Sequence, residues 1–187
     1  EMCIRDSQKG YLNADSKPKE DRPPVFNTPN GKIEIYSETL EKAGFPAWPT
    51  WIEPPYPKPG EFYLLTGKVG QHTQMATHNN RLLHKYEDKP RLWIATSTAN
   101  ERGIKTDDLV KVTSKVGEVI VPALVTEAIR PDCVYLTPGY GHLSKGLRIA
   151  YNHGVSDSEL HETYTDPISG GQALTQTFVK IEKVPGV

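Results

Sequence analysis

Apolar and polar residues alternate along most of this chain with the period of strands rather than of helices. Phe62-Tyr-Leu-Leu65 is a short apolar run bounded by Gly60 and Gly67, and Arg91-Leu-Trp-Ile-Ala95 is another. Leu109-Val-Lys-Val-Thr113 and Glu118-Val-Ile-Val-Pro-Ala-Leu-Val-Thr126 flank Ser114-Lys-Val-Gly117, the pattern of a hairpin. Val134-Tyr-Leu-Thr137 and Thr177-Phe-Val-Lys-Ile-Glu182 read as two more strands. Upstream, Lys32-Ile-Glu-Ile-Tyr36 alternates as a half-buried strand does, and Ser37 is placed to cap a short helix that stops at Gly44. Ser97 is placed in the same way before a turn or two of helix ending at Gly103. About six strands, a few short helices and no regular strand-helix alternation predict a mainly β fold, a small closed barrel rather than a doubly wound sheet.

Proline interrupts this pattern from Phe45 to Pro59 often enough that neither helix nor central strand can persist, which predicts an extended strap. Trp48, Trp51 and Tyr56 are expected to pin the strap by burying their rings; an aromatic platform for carbohydrate is the other use of such residues. The segment Lys17-Pro-Lys-Glu-Asp-Arg-Pro-Pro24 is charged and proline-rich with little to bury. Three segments follow: 1–26 as linker or remnant of a missing upstream domain, 27–60 as lead-in strand, short helix and strap, and 61–187 as the barrel. Glu1 to Ser7 has no apolar core of a signal peptide, and the chain is expected to be a fragment whose upstream sequence is missing.

Composition narrows the function classes. The 187 residues are 36% apolar with a mean hydropathy of −0.54, and no stretch is apolar enough to span a membrane. A net charge of −1 without long runs of one sign points away from nucleic acid and from anionic membrane surfaces. Cys3 and Cys133 are too few and too far apart for a disulfide framework or a Cys-rich metal site, and Cys133, at the start of an apolar strand, is expected to be a buried small residue. The six histidines show no paired spacing on one element, so no metal ligand is assigned. No general acid or nucleophile stands out, and no catalytic residue is assigned either.

The chemistry-bearing stretch runs from Leu64 to Arg81, where a short apolar run and a glycine turn give way to hydrogen-bonding side chains. Thr66, His72, Thr73, Gln74, Thr77, His78, Asn79 and Asn80 donate and accept while carrying little fixed charge, which suits a large heteroaromatic ligand. Gly67 and Gly70 let backbone approach such a ligand closely. An ordinary polar loop after a strand is the alternative.

Thr66-Gly-Lys68 followed by His72-Thr-Gln74 resembles the pterin-contacting turn of the C-terminal domain of molybdopterin oxidoreductases, the dimethyl sulfoxide reductase superfamily. Thr28-Pro-Asn-Gly-Lys-Ile-Glu-Ile-Tyr-Ser37 resembles the strand leading into that domain, Ala99-Asn-Glu-Arg-Gly-Ile-Lys-Thr-Asp-Asp-Leu-Val-Lys-Val112 its helix, glycine turn and barrel strand, and Asp166-Pro-Ile-Ser-Gly-Gly-Gln172 the loop before its last strand. His72-Thr-Gln-Met-Ala-Thr-His-Asn-Asn80 and Gly139-Tyr-Gly-His142 are similar to the catalytic subunits of thiosulfate, polysulfide and tetrathionate reductases.

The resemblance implies a double-psi β-barrel that binds molybdenum or tungsten bis(molybdopterin guanine dinucleotide), with a 4Fe-4S cluster in a missing N-terminal domain. It implies cofactor contacts at Thr66, Gly67, Lys68, His72, Thr73, Gln74, Thr77, His142, Ser158, Gly171 and Gln172. Neutral side chains would meet pterin and guanine edges, and the Thr66-Gly-Lys68 turn would meet pyrophosphate. Relatives commonly carry arginine at the position of Lys68; lysine keeps the charge and loses the planar fork. Asp157-Ser158 stands where relatives often have asparagine, so an amide contact becomes a hydroxyl or carboxylate one. The partners implied are the other domains of one catalytic subunit, an iron-sulfur electron-transfer subunit and a membrane anchor subunit, on the periplasmic side of the membrane. An arsenate, formate or nitrate oxidoreductase, or a non-catalytic carbohydrate-binding barrel, is the alternative.

Overall fold

The computed structural model describes residues 25–86, 89–172 and 174–185. The remnant expected over 1–26 lies almost wholly outside them. The described chain falls into two compact units, one ending at Glu53 and the other starting at Pro54.

The second unit is a closed barrel of six strands: β1 (Phe62–Thr66), β2 (Leu92–Ala95), β3 (Leu109–Thr113), β4 (Glu118–Thr126), β5 (Cys133–Leu136) and β6 (Phe178–Lys183), in the order β1-β5-β2-β4-β3-β6. Two neighbour pairs, β1 with β5 and β2 with β4, are parallel and the rest are antiparallel. This mixed, closed, mainly β architecture is the double-psi barrel expected, and each strand read in the barrel segment is present. Alternation does the building. In β3 the buried residues are Val110 and Val112, and Lys111 between them faces outward. Leu64, Leu92, Ile94, Val121, Val134, Leu136, Val179 and Ile181 complete a dry interior, each at most 1% exposed. Cys133 is buried as expected, with burial first and the Asp132 charge next raising its thiol pKa.

Pro122 sits inside β4 without breaking it because the strand changes partner there. Residues 118–122 pair with β3 and residues 123–126 with β2, so the missing N–H falls at the joint. The next residue restores the ladder: the Ala123 N–H donates to the Asp108 carbonyl at 2.9 Å, and the Ala123 carbonyl accepts from the Asp107 N–H at 2.9 Å.

Three expectations need correction. Lys32–Tyr36 is not a strand: Ile33 and Ile35 are 66% and 82% exposed, and the alternation has no neighbouring strand to pair with among the described residues. The helix that follows, α1 (Glu38–Lys42), does form as read, with the Leu40 N–H donating to Ser37 Oγ at 3.4 Å and Gly44 at φ +82 ending it. Ser97 does not cap its helix. That helix, α2 (Thr96–Glu101), starts directly off β2 with Ala95 in the cap position and no side-chain cap, so the backbone leaving the barrel sets its start. Trp48, Trp51 and Tyr56 do not bury their rings, being 56%, 81% and 60% exposed. Trp48 pairs instead with Tyr36 (centroids 5.7 Å apart), and Trp51 Nε1 donates to Glu53 at 3.0 Å.

Topology decides where function can sit. Parallel pairing of Thr66 with Leu136 brings the carboxyl ends of β1 and β5 side by side, so the connections after them, 67–91 and 137–177, leave from one end of the barrel. The start of β6 joins them there, where the Leu64 N–H donates to the Thr177 carbonyl at 2.9 Å. Among the described residues no helix is long and apolar enough to cross a membrane.

Candidate functional site

The loop after β1 is shaped by its own polar side chains. Thr77 Oγ1 accepts from the Thr73 N–H at 2.8 Å and lies 3.2 Å from His72 Nδ1, so one hydroxyl closes the 3-10 turn of Gln74–Thr77 and fixes the ring behind it. Gln74 has φ +46, a left-handed conformation that costs a non-glycine residue energy and marks a constrained turn. Asn79 Oδ1 accepts from the N–H groups of Ile149 and Ala150 at 2.9 and 3.3 Å, tying this loop to the one after β5.

Imidazoles gather between the two loops. His72 and His78 are 5% and 3% exposed and their rings stack, with centroids 4.3 Å apart and planes 14° from parallel. Tyr140 meets His78 edge-on at 4.2 Å; His142 lies 6.3 Å from His78, and His153 packs edge-on against His84 at 4.8 Å. Gly139, at φ +89, is required by this closeness: a Cβ there would meet the Met75 N at 3.0 Å and His78 Nε2 at 3.1 Å. Burial, and after it the imidazoles of His72, His142, His153 and His84, lowers the pKa of His78 to about 4. The ring is neutral near pH 7, and among the described residues its buried Nε2 has no hydrogen-bond partner, nor has that of His142. A wall of rings, hydroxyls and amides with spare hydrogen-bonding capacity suits an uncharged heterocycle.

The expected contact residues divide into two groups. Thr66 ends β1 half-buried, and Gly67 follows where a Cβ would come within 3.2 Å of the Tyr135 ring. Lys68, Thr73 and Gln74 are exposed, Thr77 is half-buried, and His142 closes the Gly139-Tyr-Gly-His turn, its carbonyl accepting from the Asn152 N–H at 2.7 Å. Ring contacts and hydrogen bonds thus bring His72, Thr73, Thr77 and His142 together at one end of the barrel. Ser158, Gly171 and Gln172 belong to another stretch of the second loop, each hydrogen-bonded within that stretch: the Ser158 N–H donates to Ser156 Oγ at 3.3 Å, the Gly171 carbonyl accepts from the Asp166 N–H at 2.8 Å, and Gln172 Nε2 donates to the Glu162 carbonyl at 3.0 Å. His161 is a buried strut of this stretch, 2.7 Å from Thr177 Oγ1 through Nδ1 and 3.6 Å from Asp157 through Nε2.

The inward wall that Tyr140, His84 and His153 complete is more than sequence reasoning assigned, and His78 was read only as one of the polar side chains of its loop. No spacing on one element could reveal it, because parallel pairing of distant strands assembles it. The pair of glycines around Tyr140 was the visible sign that the backbone there needs room. Among the described residues no group of three or more His, Cys, Asp or Glu could hold a metal ion. A separate cleft of about 800 Å³ opens between Tyr56 and Lys58, the β3–β4 hairpin, and Tyr164 with Phe178; none of the expected contact residues lines it.

The family model described as the Molydopterin dinucleotide binding domain matches residues 62–178, spanning five strands in full, both long loops and the first residue of β6. The chain is 36% identical over 147 residues to the molybdopterin-containing subunit of thiosulfate reductase from Salmonella typhimurium, covering 78% of this chain and 19% of that protein. It is 30% identical to trimethylamine-N-oxide reductase of Haemophilus influenzae, covering 88% of this chain and 22% of that protein. The arsenate respiratory reductase molybdopterin-containing subunit of Chrysiogenes arsenatis is 35% identical over 100 residues, 49% of this chain and 12% of that one. Acetylene hydratase from Pelobacter acetylenicus shares the fold with a TM-score of 0.72 at 19% identity, over 87% of this chain and 26% of that chain. The chain spans about a fifth of the length of the first two curated relatives.

Proposed function

This chain belongs to the molybdopterin dinucleotide-binding domain family, and from that premise we propose that it forms one wall of a molybdenum or tungsten bis(molybdopterin guanine dinucleotide) site in an oxidoreductase that reduces an inorganic sulfur compound. The observation that carries the cofactor reading is the partly unsatisfied polar wall where the loops after β1 and β5 meet, with His72, Thr77 and His142 on it and the buried Nε2 of His142 without a partner among the described residues. Donors and acceptors of that kind fit pterin and guanine edges, and the Thr66-Gly-Lys68 turn offers backbone and one cation to a pyrophosphate. Such a group, when bound, supplies the two-electron chemistry at its metal; these residues bind it, orient it and limit water around it. The assignment to sulfur compounds rests on the thiosulfate reductase relative, 36% identical over 78% of this chain, against 30% for the trimethylamine-N-oxide reductase relative. A 4Fe-4S domain upstream, an iron-sulfur partner subunit, a membrane anchor and a periplasmic site of action complete the proposal.

The test is cofactor content in the complete enzyme. Replacing His72 or Gln74 with Ala removes hydrogen bonds to a buried heterocycle, at roughly 1–3 kcal/mol for each partner left unsatisfied. Metal and guanine nucleotide per polypeptide fall while far-UV circular dichroism stays that of the parent. Full cofactor content in both variants overturns the site. Viologen-linked reduction of thiosulfate, tetrathionate and polysulfide by the parent enzyme tests the substrate class, and turnover of none of them removes it.

A further inference from the structure

His78 was not among the cofactor contacts that the family resemblance implies, yet it is the most enclosed ring of the site. One face stacks on His72, Tyr140 meets it edge-on, and Gly139 lies against its Nε2 with no room for a Cβ. The exposed members of the loop, Thr73 and Gln74, follow directly on His72, whose ring is held on one side by Thr77 Oγ1 and on the other by this stack. We propose that His78 is a positioning residue: its buried ring holds the plane of His72, and through it the conformation of the 72–77 turn, against the loop after β5, so that the contacts offered to the cofactor are set before it binds. The inference rests on the cofactor reading above and adds a residue and a cause to it.

A ring held in this way has two consequences. Any flat apolar ring of similar size serves as well as imidazole while the site is neutral, since stacking area and plane are what matter. Adding a proton, by contrast, brings a charge into a buried cluster of like groups. The titratable groups facing His78 are His72 and His84 from its own segment and Tyr140, His142 and His153 from the other, and no carboxylate is among the groups that shift it. Protonation therefore opposes the stack, and acid loosens the turn.

The experiment uses the complete holoenzyme with His78→Phe, His78→Leu and His72→Ala, following release of guanine nucleotide after dilution. Loss of the stacked plane in His78→Leu speeds release about fivefold near neutral pH, while His78→Phe stays within about twofold of the parent. Release from the parent accelerates as pH falls below about 6.5, and His78→Phe flattens that profile, a response that a merely structural role would not produce. His78→Leu releasing at the parent rate, or His78→Phe releasing as fast as His78→Leu, overturns the inference. His72→Ala separates the two levels: rapid release from it with parent-like His78→Leu leaves the cofactor site standing without this residue, and parent-like release from both removes the site as well.

Discussion

The wall of the barrel and the end of the barrel are built on different terms. In the wall, side chains such as Ile94, Val134 and Leu136 are buried without polar atoms, and position follows from a period-two pattern and a closed ladder. At the end, the buried side chains include His72, His78 and Thr137, and the backbone is held by hydroxyls and amides: Thr77 on Thr73, Asn79 on Ile149 and Ala150. Apolar burial is non-directional and tolerant, whereas a polar loop needs each partner in place. The contrast teaches where stability and where ligand chemistry reside: removing wall atoms unfolds the domain, and removing end atoms loosens a site on a domain that stays folded.

The strongest break of this contrast comes from the wall. Ile94→Ala empties part of a fully buried position between β4 and β5, and costs about 2–5 kcal/mol of the unfolding free energy. Urea unfolding of the 187-residue chain reads it as a lower midpoint with an unchanged slope. A cost below about 1 kcal/mol would mean that the barrel interior is not the cooperative unit.

The wall was legible in the sequence and the end largely was not. Val110 and Val112 flanking Lys111, or Ile120 outward between Val119 and Val121, write their burial into local alternation. Lys32–Tyr36 shows the limit of that signal, because an alternating pattern forms a strand only where a neighbour offers its hydrogen bonds, and Ile35 stays exposed. Trp48 and Trp51 show another: aromatic content does not say which surface a ring meets. Local chemistry did single out Thr66 to Asn80 as a binding stretch. The convergence of His78 with Tyr140 and His142 was hidden, since it depends on β1 and β5 being parallel neighbours some seventy residues apart in sequence, as the Thr66–Leu136 register shows.

A smaller and local effect is expected from the tie between the loops. Asn79→Ala leaves the Ile149 and Ala150 amides without their acceptor, worth about 1–3 kcal/mol if they stay dry and less if water reaches them. Hydrogen exchange at those amides accelerates, while exchange in β2 and β5 holds. Equal acceleration in the strands would erase the distinction between wall and end.

Acid sharpens the same distinction. The folded-state pKa of His78, about 4, lies below the ordinary imidazole value near 6.5, so the opened loop binds more protons than the closed one between those limits. The contribution of the closed loop is whole above about pH 6.5 and is lost as pH falls toward about 4. Exchange of the loop amides around His78 therefore speeds up on acidification, after correction for the intrinsic rate, and His78→Phe removes much of that response. A pH-independent loop in the parent would contradict the buried neutral ring.

The smallest effect tests the seam between the two regions. Lys115, at the tip of the β3–β4 hairpin, donates to Glu162 Oε1 of the second loop at 2.7 Å, a short contact that looks like a bolt. Both side chains are largely in water, 79% and 54% exposed, so the Coulomb gain is screened and offset by ordering two long side chains. Lys115→Ala should then change stability by no more than about 1 kcal/mol, with the difference fading in high salt. The seam is held instead by buried groups beneath it, Leu160 and the His161–Thr177 contact at 2.7 Å. Thermal unfolding of Lys115→Ala at low and high salt measures this. A salt-insensitive loss well above that figure would show that loop and barrel are joined by charge at the surface rather than by the packing underneath.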